Sequence, residues 1–171
     1  MEQKVFYIKT FGCQMNERDS EIMAQALSVC GYVESMNYEE ADLVILNTCS
    51  IRAKAEQKVL SLLGYLRKAK NKNPSMKICV AGCVAQQAGS HLIERMPHVD
   101  LVIGTQHIYD IAKHLERVDA EGHLVVTDLK DNYQIPQFLP DFSRSRDNKT
   151  PIAEASPAPK SFSNFVTIMQ G

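Results

Sequence analysis

Three junctions constrain this chain more than any other feature of it. Thr10-Phe11-Gly12-Cys13-Gln14-Met15-Asn16 carries an apolar run into a helical pattern through a cysteine. Asp42-Leu43-Val44-Ile45-Leu46-Asn47-Thr48-Cys49, followed by Ser50-Ile51-Arg52-Ala53-Lys54-Ala55-Glu56, repeats the arrangement. Lys77-Ile78-Cys79-Val80-Ala81-Gly82-Cys83, followed by Val84-Ala85-Gln86-Gln87, repeats it again. Each is a short β-rich stretch, a small or polar residue, a thiol and then a helix. Ligands of open α/β sheets sit outside the carboxyl ends of the strands, so these cysteines, distant in sequence, are expected at one crevice.

The rest of the chain fills in the same alternation. Val5-Phe6-Tyr7-Ile8 is the first strand, and the next helix is expected to begin near Asn16 with that side chain as its cap and with Glu17, Asp19 and Glu21 in its first turn. Ile22, Met23, Ala26, Leu27 and Cys30 form its buried stripe, with Gly31 as the stop, so Cys30 reads as a core residue. Tyr32 and Val33 start a short strand. Asp42 to Leu46 is a strand of the continuous apolar kind found in parallel sheets. A second helix spans about Ser50 to Lys70, with Ala55, Val59, Leu62, Leu63 and Leu66 on its apolar side. A third covers Val84 to Arg95, Leu101-Val102-Ile103-Gly104 is a strand, and His107 to Arg117 is the last helix. The fold class is therefore α/β, a doubly wound, mostly parallel sheet of the flavodoxin or Rossmann kind.

Beyond Val118 the pattern weakens. Residues 121–127 suit an edge strand, but Pro136, Pro140, Pro151, Pro157 and Pro159 are five of the seven prolines and preclude regular structure where they fall. The expected organisation is a domain over residues 1–118, an edge strand and linker over 119–160, and the opening strand of a further domain over 161–171, which marks the chain as a piece of a longer protein. A chain of 171 residues, 44% of them hydrophobic, has enough material for one well-cored domain. Its formal charge of -1 gives no electrostatic footprint for tight RNA binding by this segment alone. No export signal is visible at Met1-Glu2-Gln3-Lys4, and the apolar runs are too short to cross a bilayer.

Five cysteines without a secretory signal favour reduced thiols or metal ligands over a disulfide framework. For any single cysteine, packing is the commoner role. Cys13, Cys49 and Cys83 stand apart through their shared place at strand ends, whereas Cys79 lies inside its strand. Three thiolates suit an iron-sulfur cluster with one iron left open. Zinc stays open too, although a structural zinc site asks for a fourth ligand. His91, His98, His107, His114 and His123 show no paired ligand spacing. Arg67, Lys68, Lys70 and Lys72 read as a solvated basic face rather than an RNA contact, and Arg52, three residues after Cys49, either sits over the cluster or substrate or is an ordinary first-turn residue. Asn16 and Asn47 are placed to orient the cysteine loops, yet capping alone explains Asn16.

The residues Gly12-Cys13-Gln14-Met15-Asn16-Glu17-Arg18-Asp19-Ser20-Glu21, Asn47-Thr48-Cys49-Ser50-Ile51-Arg52 with Ala55-Glu56-Gln57-Lys58, and Ala81-Gly82-Cys83-Val84-Ala85-Gln86 closely resemble the N-terminal domain of the radical S-adenosylmethionine methylthiotransferases. The resemblance covers residues 3–118. Gln14-Met15-Asn16 points to the branch that acts on N6-isopentenyladenosine (dimethylallyladenosine) in tRNA, since the ribosomal-protein branch tends to carry Pro-Lys-Asn there.

What the resemblance implies is a tRNA methylthiotransferase of the cytoplasm, a monomer without membrane association. It uses S-adenosylmethionine to methylthiolate the base next to the anticodon. Cys13, Cys49 and Cys83 match the family's three ligands of an auxiliary [4Fe-4S] cluster that serves sulfur insertion, and Cys30 and Cys79 match no ligand. The family's second [4Fe-4S] cluster sits in a radical S-adenosylmethionine barrel on a Cys-x-x-x-Cys-x-x-Cys motif. No cysteine follows Cys83 here, so the chain by itself is expected to be inactive. Three other readings stand beside this one: the threonylcarbamoyl-adenosine or ribosomal-protein branches, a non-catalytic metal-binding module, and a flavodoxin-like binder of a nucleotide or flavin. The last lacks any Gly-x-Gly-x-x-Gly or Walker motif.

Overall fold

The computed structural model of the chain describes residues 3–49, 53–129 and 131. Most of the expected linker, the expected strand at 161–171, and Ser50, Ile51 and Arg52 lie outside the described residues. The elements in chain order are β1 (Val5–Phe11), α1 (Gln14–Val29), β2 (Val33–Glu34), β3 (Leu43–Thr48), α2 (Ala53–Lys72), β4 (Lys77–Ala81), α3 (Cys83–Ala88), α4 (Ser90–Arg95), β5 (Leu101–Ile103), α5 (Ile111–Glu121) and β6 (Leu124–Val126). Short 3-10 turns at Tyr38–Glu40 and Ile108–Asp110 precede β3 and α5.

The strands form one six-stranded sheet in the order β2-β1-β3-β4-β5-β6, and every neighbouring pair is parallel. Parallel pairing needs a crossover between strands, and the helices supply it on both faces. Phe6, Ile45, Cys79, Leu101 and Ile103 meet Ile22, Met23 and Leu27 of α1 and Ile111 and Leu115 of α5 on one face. Val44, Leu46, Ile78, Val80 and Val102 meet Val59, Leu63 and Leu66 of α2, with Ala85 and Leu92 of α3 and α4, on the other. Successive residues of a strand point to opposite faces, so a strand covered on both sides reads as one unbroken apolar run. In β3, all six residues are buried.

Several local expectations need correction. The helix after β1 starts two residues earlier than expected, at Gln14, with Cys13 in the cap position and no side-chain cap bond. Of the expected acidic first turn only Glu17 remains. Cys30 is exposed rather than core. The helix ends at Val29, where the Gly31 and Tyr32 N–H groups bond back to the Ser28 and Leu27 carbonyls. That closing motif swings Cys30 off the buried stripe. The single helix expected over Val84 to Arg95 is two, α3 and α4, because the backbone turns at Gly89, whose φ is +51°.

Lys70 is likewise not part of a solvated face. Its ammonium donates to the Asp100 carboxylate and to the His98 carbonyl at 3.2 Å, while Asp100 Oδ2 accepts the Ile78 N–H at 2.7 Å. This tie fastens α2 to the starts of β4 and β5. The edge strand expected over 121–127 is present as β6, although Glu121 itself closes α5.

Candidate metal centre at the carboxyl edge of the sheet

The strand order reverses between β1 and β3, and in sheets of this topology the crevice at that switch point is where ligands bind. The register pairs Phe11 with Thr48 and Asn47 with Ala81, so β1, β3 and β4 end level with one another. Cys13 is the second residue past β1, Cys49 the first past β3 and Cys83 the second past β4. The three sequence-predicted ligands thus occupy one edge of three adjacent strands. Cys49 is buried, at 1% exposure, while Cys13 and Cys83 are partly exposed.

Backbone packing at this edge is too close for side chains. Gly12, at φ +149°, lies against the Cβ of Cys49. A methyl there would overlap that atom and stand 2.7 Å from Asn16 Oδ1. Gly82, at φ +91°, faces the Asn47 side-chain oxygen, and its own Cβ would stand 2.8 Å from the Thr48 carbonyl and 3.0 Å from Asn16 Nδ2. Both positions demand glycine for conformation and for space. They draw the loops bearing Cys13 and Cys83 down onto the end of β3.

A chain of hydrogen bonds crosses the same edge. The Cys13 thiol donates to Asn16 Oδ1 at 3.3 Å, and Asn16 Nδ2 donates to Asn47 Oδ1 at 2.9 Å. Asn47 Nδ2 donates to the Asn16 carbonyl at 2.7 Å and to Ser20 Oγ at 3.0 Å, and Ser20 pairs with Thr10 at 2.8 Å. Asn16 and Asn47 are 1% and 0% exposed. The sequence reading of Asn16 as a helix cap is therefore corrected. The usable signal was Asn47 itself, an amide directly after the apolar run Leu43 to Leu46 and two positions before a cysteine.

In kind, three cysteines at one sheet edge suit a group held by three thiolates. The helices α1 and α3 both open at one of the cysteines. Among the described residues, no group of three His, Cys, Asp or Glu side chains stands in ligating geometry. Ser50, Ile51 and Arg52, which follow Cys49, lie outside the described residues. Cys79 is wholly buried among apolar side chains, and burial pushes its thiol far above the ordinary range. It is a packing residue. Among the histidines, His98, His107 and His123 bond to the carbonyls of Leu63, Asp128 and Val99.

Two further features border the edge. Burial raises the Asp19 carboxyl to about 6, with the neighbouring Arg18 pulling the other way. An open groove lined by Phe11, Gln57, Lys58, Ser61, Leu62 and Tyr65 runs beside the end of β1.

Fold and edge together define a three-layer α/β domain of the flavodoxin-like type whose switch point presents cysteines where a phosphate-binding loop would otherwise stand. The chain matches the family model described as "Uncharacterized protein family UPF0004" over residues 5–104, which takes in all three cysteine junctions. It belongs to that family.

The chain is 58% identical, over all 171 of its residues, to the tRNA-2-methylthio-N(6)-dimethylallyladenosine synthase of Desulfotalea psychrophila, of which it covers 36%. Proteins of the same name from Sulfurihydrogenibium sp. and Cereibacter sphaeroides are 41% identical over 166 residues and 52% identical over 127, with 35% and 29% of their lengths covered. The chain spans about a third of the length of these relatives. No helix among the described residues is long and apolar enough to cross a membrane.

Proposed function

We propose that the chain is the part of a tRNA methylthiotransferase that holds an auxiliary iron-sulfur cluster, with Cys13, Cys49 and Cys83 as ligands. The substrate of the whole enzyme is dimethylallyladenosine beside the anticodon of tRNA. The observation that carries this reading is the level ending of β1, β3 and β4 at the switch point with a cysteine just past each. When bound, a [4Fe-4S] cluster with three protein thiolates leaves one iron open and supplies a site from which sulfur is inserted.

The chain's own residues prepare that site. The first N–H groups of α1, which have no acceptor within the helix, offset the negative charge that thiolates carry. Cys49, seated at the buried end of β3, fixes the inner wall, while the partly exposed Cys13 and Cys83 leave the crevice open to an incoming substrate. The groove that starts at Phe11 at the end of β1 carries a second aromatic, Tyr65, and Lys58, a set able to take a base and a phosphate.

S-adenosylmethionine and the second [4Fe-4S] cluster belong, on this reading, to the two thirds of the relatives' length beyond this chain. With a formal charge of -1, this segment adds little counterion release, so most of the tRNA affinity resides there too. The enzyme is taken to act as a cytoplasmic monomer.

Anaerobic reconstitution of the purified chain with iron and sulfide tests the reading. The broad absorption of an iron-sulfur cluster, bleached by reductant, is expected. A protein that takes up only zinc, or that carries a flavin spectrum, would replace the reading by a metal-binding or flavin-binding module.

A further inference from the structure

We propose that Asn16 and Asn47 form a positioning clasp. It holds the three cysteine-bearing loops in fixed relation and thereby sets how firmly, and in what electronic surroundings, the group they bind is held. The proposal rests on the reading of those cysteines as cluster ligands. Neither asparagine has an ordinary explanation in this fold. Asn16 does not cap α1, which begins at Gln14. Asn47 continues a strand whose preceding residues are Leu43, Val44, Ile45 and Leu46, where one more apolar residue would pack without any need for partners.

A buried amide without hydrogen bonds is destabilising, and this pair, at 0% and 1% exposure, is engaged instead. This pair is engaged with each strand end that carries a cysteine. Asn16 accepts from the Cys13 thiol, whose proton is given up when that sulfur ligates as thiolate, whereas the Asn16–Asn47 bonds do not depend on it. Asn47 lies two residues before Cys49 in β3. Both amides press on Gly82, the residue before Cys83. Ser20 and Thr10 extend the chain back into α1 and β1. Side chains that bond to a ligand residue without touching the metal fix its orientation, and their loss typically costs 10–100-fold in metal affinity.

The test compares the parent chain with Asn16→Ala, Asn47→Asp and Cys79→Ala, each reconstituted anaerobically. The last is a control that opens a hole in the core without touching the clasp. Asn47→Asp keeps the volume but loses both donated bonds, and Asn16→Ala stands in a helical turn that accepts alanine readily. Three quantities are read: bound iron, the rate at which a ferrous chelator removes it, and the electron paramagnetic resonance spectrum of the reduced protein.

Both asparagine variants should take up as much iron as the parent, because every ligand remains. They should then release it about tenfold faster and show shifted g-values. Cys79→Ala should match the parent in rate and spectrum. Asparagine variants that match the parent, or move no further than Cys79→Ala, overturn the clasp while the cluster reading stands. A parent that takes up no iron and sulfide overturns that reading and the clasp with it. Should Asn47→Asp fail to fold by circular dichroism, Asn16→Ala decides the outcome alone.

Discussion

Cys30 and Cys79 share a side chain with the edge cysteines and none of their surroundings. Cys30 is exposed at the end of α1, so Cys30→Ala should change stability by no more than about 0.5 kcal/mol. Cys79 is wholly enclosed, and Cys79→Ala should cost about 1–2 kcal/mol through the cavity it leaves. Urea unfolding of both variants checks the contrast. Asp19 shows the same dependence on place. Spacing made it a first-turn acid, but it sits one turn further on, buried, with its carboxyl raised from 3.8 to about 6. A folded pKa above the unfolded one means the folded state holds its proton longer. The contribution is therefore fully present below pH 3.8 and is lost as pH rises through about 6. Relative to the parent, Asp19→Asn should be more stable at pH 7 and gain little at pH 4, as read from melting temperatures at the two values.

At the scale of elements, the strands were legible because both faces are covered and their runs are unbroken; β3 and β5 fall within two residues of expectation. The helix boundaries were harder. Nothing in the apolar period of Val84 to Arg95 separates two short helices from one bent at Gly89, because the period continues across the turn. Lys70 was hidden for another reason. Its partner Asp100 is thirty positions away in sequence, and only the docking of α2 against β5 brings them together. That tie should matter to the fold. Asp100→Ala strands the Ile78 N–H and the Lys70 ammonium together, and should cost about 2–4 kcal/mol. Asp119→Ala removes only an exposed partner of Lys77 and should cost under about 1 kcal/mol. Denaturant midpoints of the two variants separate these outcomes.

For the molecule as a whole, the gathering of Cys13, Cys49 and Cys83 at one sheet edge was more legible than the joints around them. A cysteine after each of three strands is a linear pattern, and parallel pairing turns it into one edge. The Asn16–Asn47 contact joins residues thirty-one positions apart and has no linear pattern at all. If the division of labour proposed above holds, this chain incubated with S-adenosylmethionine, reductant and dimethylallylated tRNA yields no methylthio nucleoside. Its five cysteines supply one ligand set and no second. The most direct measurement of the central claim is iron and sulfide content after anaerobic reconstitution of the five single cysteine-to-alanine variants. Cys13→Ala, Cys49→Ala and Cys83→Ala should each fail to assemble a cluster, while Cys30→Ala and Cys79→Ala load like the parent. Loss of iron in Cys79→Ala as complete as in Cys83→Ala, or full loading with any edge cysteine removed, would contradict it.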